Sequence, residues 1–140
     1  MLRGLVRCER GTAAIEGAIL LPLAISLMAG CVSFGTAYLD YASAQKALRD
    51  AARYLARVPS QYACTWGLTN AKTMAIANSS ASVGWTADDI AMVPACPTAS
   101  TGAVHLQAKF NYSPMMFGAL KLPLSIPLTI DHEEPYVGLY

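Results

Sequence analysis

Apolar residues run almost unbroken from Gly11 to Leu39, GTAAIEGAILLPLAISLMAGCVSFGTAYL, and Glu16 is the one charged residue among them. In helical rise about 28 residues cover roughly 42 Å, more than the roughly 30 Å of a hydrocarbon core. The pattern therefore predicts a transmembrane helix over 12–39. From Asp40 onward polar residues return at helical spacing. Lys46, Arg49, Arg53 and Arg57 share one face, while Ala44, Ala47, Leu48, Ala51 and Leu55, with Tyr54 in part, line the other. No Pro or Gly interrupts this stretch, so a single helix is expected, membrane-embedded in its first half and amphipathic over 40–58. Val58-Pro59 ends it, because the residue before a proline is pushed out of the helical region.

Beyond Pro59 the pattern changes to short elements. Ser60–Gly67 reads as a loop carrying Cys64 and Trp66, followed by a short helix from Thr69, its N-cap, to about Ala77, with Lys72 and Asn78 facing out. SSASVGW is a connector. Thr86-Ala-Asp-Asp resembles a helix start, but Ile90-Ala-Met-Val is read as a short strand. Ala103–Tyr112 alternates Val104, Leu106, Ala108, Phe110 and Tyr112 with polar residues, as a half-buried strand does. Leu122–Ile130 alternates too, with Pro123 and Pro127 on the outward side, which suits an edge strand. Between them Met115, Met116, Phe117 and Leu120 form an apolar turn. The tail DHEEPYVGLY either docks or frays. The fold class is α+β: a long N-terminal helix, then a small antiparallel-sheet domain over 59–140.

Charge adds a direction. Arg3, Arg7 and Arg10 precede the apolar run against a single acid, Glu9. The positive-inside tendency keeps them cytoplasmic and puts the remaining domain across the membrane. Past Leu39 the basic residues Lys46, Arg49, Arg53, Arg57, Lys72, Lys109 and Lys121 are balanced by Asp40, Asp50, Asp88, Asp89, Asp131, Glu133 and Glu134. That balance gives no electrostatic case for a nucleic-acid partner.

The four cysteines divide by depth. Cys8 lies in the basic leader and Cys31 in the apolar run. Cys64 and Cys96 are alone in the outer domain, where an oxidising compartment permits a disulfide. Closing a loop of about 33 residues stabilises by roughly 3–4 kcal/mol in the chain-entropy description; two unpaired thiols are the alternative. His105 and His132 are isolated, and with Cys64 and Cys96 they lack the spacing of a zinc site. No phosphate-binding glycine loop follows a strand. No metal, no cofactor and no enzymatic activity are expected.

A carboxylate in an apolar helix needs a cation or a donor. Cutting between Gly11 and Thr12 frees an amine at Thr12 and makes Glu16 the fifth residue of the mature chain, so the two can form a charge pair in cis or between subunits. Snorkelling of Glu16 to the headgroups is the plainer alternative. Pro22 removes one backbone donor and predicts a kink, either functional or merely tolerated. Gly30 and Gly35, with Ala29, Ser33 and Ala37, offer a small-residue side to another helix. Met28-Ala29-Gly30-Cys31 loosely fits a lipoprotein box, but the apolar run continues past Cys31.

The basic leader, glycine, fifth-position glutamate and uncleaved apolar helix resemble type IV prepilins and pseudopilins. Within that group RGTAAIEGAILLPL, FGTAYLDY and ALRDAARYLA are similar to the TadE-like proteins of the tight-adherence (Tad/Flp) pilus system. One departure is Gly17, where prepilins of that system usually carry an aromatic residue. The resemblance implies a pilin-like fold and a minor pilin or pseudopilin cleaved by a prepilin peptidase between Gly11 and Thr12. Its implied partners are that peptidase, other pilins and the Tad inner-membrane platform. The expected place is the bacterial inner membrane, N-terminus cytoplasmic and C-terminal domain periplasmic, with incorporation into an extracellular pilus as a further step. The alternative is an uncleaved, single-pass periplasmic scaffold or adaptor.

Overall fold

A computed structural model of the chain describes residues 9–93, 96, 102–113 and 125–137, with side chains from residue 14 onward. One helix, α1, runs from Glu9 to Leu55, 47 residues or about 70 Å of rise. It passes through Pro22 without a break, and Ser26 Oγ donates to the Pro22 carbonyl oxygen at 2.8 Å. The regular helix stops at Leu55, three residues short of Val58. There the amides of Arg57 and Val58 reach the carbonyls of Tyr54 and Leu55 instead, tightening the last turn before Pro59.

The upper half of α1 is one wall of the core. Ala44, Ala47, Leu48, Ala51, Ala52 and Leu55 are fully buried, and the four basic residues at 46, 49, 53 and 57 are exposed, as the periodicity requires. The alanines face a second helix that also presents alanines, Ala71 and Ala75. Small side chains on both sides let the two backbones approach closely, and Leu48 and Leu55 fill the seam.

Between these helices the chain is not the loop expected over Ser60–Gly67. Ser60–Tyr62 forms a single helical turn, α2, and Ala63–Gly67 continues as a wide turn in which Thr65 leaves helical geometry. Gly67 is required there: a Cβ would sit 2.9 Å from the Tyr62 carbonyl oxygen and 3.0 Å from Val58 Cγ1. The next helix, α3 (Leu68–Asn78), therefore begins out of a preceding helical turn. Thr69 does not cap it; its hydroxyl bonds back to the Thr65 carbonyl from inside the helix. Lys72 is half-buried, and its ammonium donates to the Ala87 carbonyl at 2.8 Å.

Three antiparallel strands, β1 (Ile90–Met92), β2 (Ala103–Tyr112) and β3 (Ile126–Pro135), pair in the order β1-β2-β3. Both readings of the segment before β1 hold in part. Thr86–Asp89 forms one turn, with Asp89 Oδ2 accepting from the Thr86 amide and hydroxyl, and the strand follows. In β2 the alternation places Val104, Leu106, Ala108 and Phe110 inward against α1. Phe110 meets Trp85 edge-on, ring centroids 6.3 Å apart.

β3 is an edge strand with Pro127 exposed, and Leu128 and Ile130 keep the expected inward phase. It is described only from Ile126, so Leu122, Leu124 and the apolar turn at 115–120 lie outside the described residues. Its far end departs from expectation. Pairing continues through His132, Glu133 and Glu134 to Pro135, so the first half of the expected tail is strand. Polar residues hid it, because a strand end held by cross-strand pairing needs no apolar alternation. The chain then returns to α1: the Val137 amide donates to the Ala56 carbonyl, and Tyr136 Oη to the Val58 carbonyl at 2.6 Å. Those contacts satisfy carbonyls that the end of the helix leaves free.

Leu48 tests the seam. Leu48→Ala is expected to destabilise the domain by about 2–5 kcal/mol, the usual range for a buried leucine. Lys46→Ala, on the exposed face, should stay within about 0.5 kcal/mol. Urea unfolding of the full chain in detergent, followed by tryptophan fluorescence, reads both.

Candidate functional site: the anchor helix and its seat in the outer domain

Among the described residues nothing packs on α1 below the domain. Every large apolar side chain from Ile15 to Leu39 is exposed, between 56% and 76%. The stretch is long and apolar enough to cross a membrane by length and composition. A helix apolar on all sides and unburied by its own chain is at home in lipid, where its backbone is satisfied internally. This single N-terminal helix is consistent with a membrane anchor.

Glu16 projects from this bare segment, exposed. The junction of Gly11 and Thr12 lies inside α1, near its start. Thr12 and Glu16 are four residues apart and so lie on one helix face. The Thr12 side chain is outside the described set, and so is any contact it makes with Glu16. Cys31 is a free, exposed thiol two residues before the first contact with the domain among the described residues.

That first contact is made by the lower end of β2. Tyr112 Oη donates to the Ser33 carbonyl at 2.8 Å, and Thr36 Oγ1 lies 3.1 Å from the same phenol oxygen. One turn higher, Asp40 Oδ1 accepts from Ser80 Oγ at 3.0 Å and from Ser82 Oγ, tying the connector after α3 to the helix. Ser43 joins this group through Ser80. Asp40 and Ser43 of α1 are thus paired with the domain, not left for solvent.

Cys64 and Cys96 are joined by a disulfide, Cα atoms 5.5 Å apart, and both pack against the core. The bridge fastens the α2–α3 corner to the chain between β1 and β2. Beside that corner an open cleft of about 440 Å³ is lined by Arg53, Tyr54, Arg57, Pro59 and Trp66, among others. The sequence pattern did not foreshadow it: the arginine spacing names a face, but Trp66 joins that face only through the α2–α3 corner.

At the top of the domain three ionisable side chains meet. Arg53 Nε is 3.0 Å from Glu134 Oε1, and His132 Nε2 is 3.2 Å from the same oxygen. His132 belongs to β3, with Glu134 beside it on the helix-facing side. The hydrogen bond with His132, and after it the one from Arg53, hold the Glu134 carboxyl below its usual range. Across the strands His105 pairs with Glu133 at 3.0 Å. Asp89 is also held low, by the Thr86 hydroxyl first and the Thr86 amide second.

A carboxyl depressed in the folded state contributes stability above its unfolded value and loses it as pH falls through the folded one. Acidification from neutral pH through the carboxylate range should therefore lower the melting temperature. Glu134→Gln is expected to flatten that acid limb and leave the share that belongs to Asp89. Thermal melts across that range in detergent check it.

Residues 11–53 match the model of a family described as TadE-like protein. No curated protein and no solved structure matches the chain. The matched segment begins at Gly11, carries Glu16 and the bare part of α1, and ends within the buried seam. Over residues 11–53, which include its bare apolar helix, the chain is therefore similar to the TadE-like family.

Proposed function

We propose that the chain is a minor pilin or pseudopilin that serves assembly of a Tad-type pilus, after a prepilin peptidase cuts between Gly11 and Thr12. The observation that carries this reading is the placement of the family match, which starts at Gly11 and covers Glu16. A TadE-like family suggests a Tad pilus-associated protein. The helix supports the chemistry assigned to the junction. An amine freed at Thr12 would stand one turn, about 6 Å of rise, from the Glu16 carboxylate. In a medium that cannot hydrate either charge, the pair is the favoured state of both.

In this reading the bare helix packs among other pilins or in the bilayer, and the outer domain meets partners with its sheet and basic face. The role is structural, with no reaction catalysed and no nucleic acid bound. The protein sits in the bacterial inner membrane with its domain in the periplasm, in contact with the platform that feeds subunits to the fibre. The uncleaved scaffold has one observation in its favour: α1 extends upstream of the junction to Glu9, and a peptidase must first open that helical turn.

Intact-mass measurement on protein purified from membranes of a piliated cell separates the two. A chain starting at Thr12 is expected; a chain retaining Met1 in piliated cells overturns the pilin reading. Glu16→Gln should leave the cut in place and reduce fibres to the background of a strain lacking the protein.

A further inference from the structure

The apolar run and the outer domain overlap. By composition the lipid-compatible stretch reaches Leu39, but the domain already touches the helix at Ser33 and Thr36 through Tyr112. The overlap of six residues is about 9 Å of rise. Both descriptions cannot hold for a hydrocarbon boundary. The lower ends of β2 and β3, with Asn111, Ser113 and Ser125, would enter lipid if the hydrocarbon reached Leu39. So would the free edge of β3, and hydrocarbon satisfies no unpaired backbone group. At this level a notch of about 270 Å³ lies between Thr36, Leu39, Asp40, Ser82 and Tyr112, its walls mostly apolar with hydroxyl and carboxylate groups among them. Walls that mix apolar surface with polar groups suit the interface between hydrocarbon and headgroups.

We propose that the outer hydrocarbon boundary falls at Ser33, and that the lower rim of the domain, with Phe34, Tyr38 and Tyr112, lies against the lipid headgroups. This rests on the membrane-anchor reading above. The occupant of this surface is the bilayer itself, continuous with the bare helix below it. Phe34 and Tyr38 are exposed on the helix beside the rim, and aromatic side chains with that exposure collect at membrane interfaces.

The boundary has a consequence at the other end. A hydrocarbon core of about 30 Å takes about 20 helical residues, so measured down from Ser33 it ends near Ala13. Glu16 then lies about 5 Å inside the hydrocarbon. Measured from Leu39, the same thickness ends near Ile19 and leaves Glu16 about 5 Å outside, among headgroups. The domain's seat on the helix therefore decides whether Glu16 is a solvated carboxylate or one in need of a partner.

Thiol labelling reads the boundary. The full chain carrying Cys8→Ser is reconstituted, domain outward, in vesicles of phosphatidylethanolamine and phosphatidylglycerol. Reaction with a membrane-impermeant maleimide is timed for native Cys31, and for Phe34→Cys and Ala42→Cys in a Cys31→Ser background. All three positions are exposed on α1 and outside the core, so the fold is retained. Each rate is divided by the rate of the same variant in dodecyl sulfate. Cys31 is expected to react at least about tenfold more slowly than Ala42→Cys, because hydrocarbon excludes both reagent and thiolate. Phe34→Cys is expected nearer to Ala42→Cys. A Phe34→Cys rate nearer to Cys31 overturns the boundary while leaving the anchor standing. A Cys31 rate equal to that of Ala42→Cys overturns the anchor and the boundary together.

Discussion

The packing of the upper half of α1 into the small domain is the contact on which everything else depends. Ala44, Ala47, Ala51 and Ala52 have no side chain long enough to hold two surfaces apart, so α3 and the sheet close directly on the helix backbone. Leu48 and Leu55 then supply most of the apolar bulk of the seam. A domain of about 80 residues buries little surface, and borrowing one wall from a long helix enlarges its core. The disulfide between Cys64 and Cys96 fastens the α2–α3 corner, beside the upper end of that wall, to the chain between β1 and β2. The tail contacts of Tyr136 and Val137 close the end of the helix.

The same helix therefore carries two patterns. Above Thr36 its faces are unequal: alanine and leucine inward, arginine and lysine outward. Below Ser33 large apolar side chains point to every side, and none is covered by the described residues. The change of pattern takes place within one continuous helix, so any force on the bare half is carried rigidly into the domain. A protein that must leave a bilayer or seat in a fibre has use for such a rod. The polar cluster of Asp40, Ser43, Ser80 and Ser82 marks the changeover, because its hydrogen bonds are affordable only clear of hydrocarbon.

The ionic contacts at the top of the domain are minor by comparison. Arg53 is exposed, and its pairing with Glu134 is screened by water. Their value is positional, in that they hold β3 against the helix past Ile130, where apolar contact has ended. The sequence pattern could not reveal this, since a strand whose inward residues are His132 and Glu134 has no hydrophobic alternation to read. Ser60–Gly67 escaped notice for a related reason. Its inward residues are Ala63 and Gly67, small enough for close packing and too small to give a periodic signal. Thr69 looked like a helix start only because the helical turn before it was not visible.

What the sequence determined by itself is local and periodic. An unbroken apolar run makes a lipid-compatible helix whatever surrounds it, and a spacing of three and four residues makes the upper half amphipathic. Strict alternation sets the limits of β2 at Ala103 and Tyr112, and the glycine, glutamate and basic residues around the leader junction mark its resemblance. The tertiary structure alone decided where the domain sits along the rod. That position depends on Tyr112 meeting Ser33, two residues 79 apart in the chain, and no local pattern encodes a hydrogen bond across such a distance.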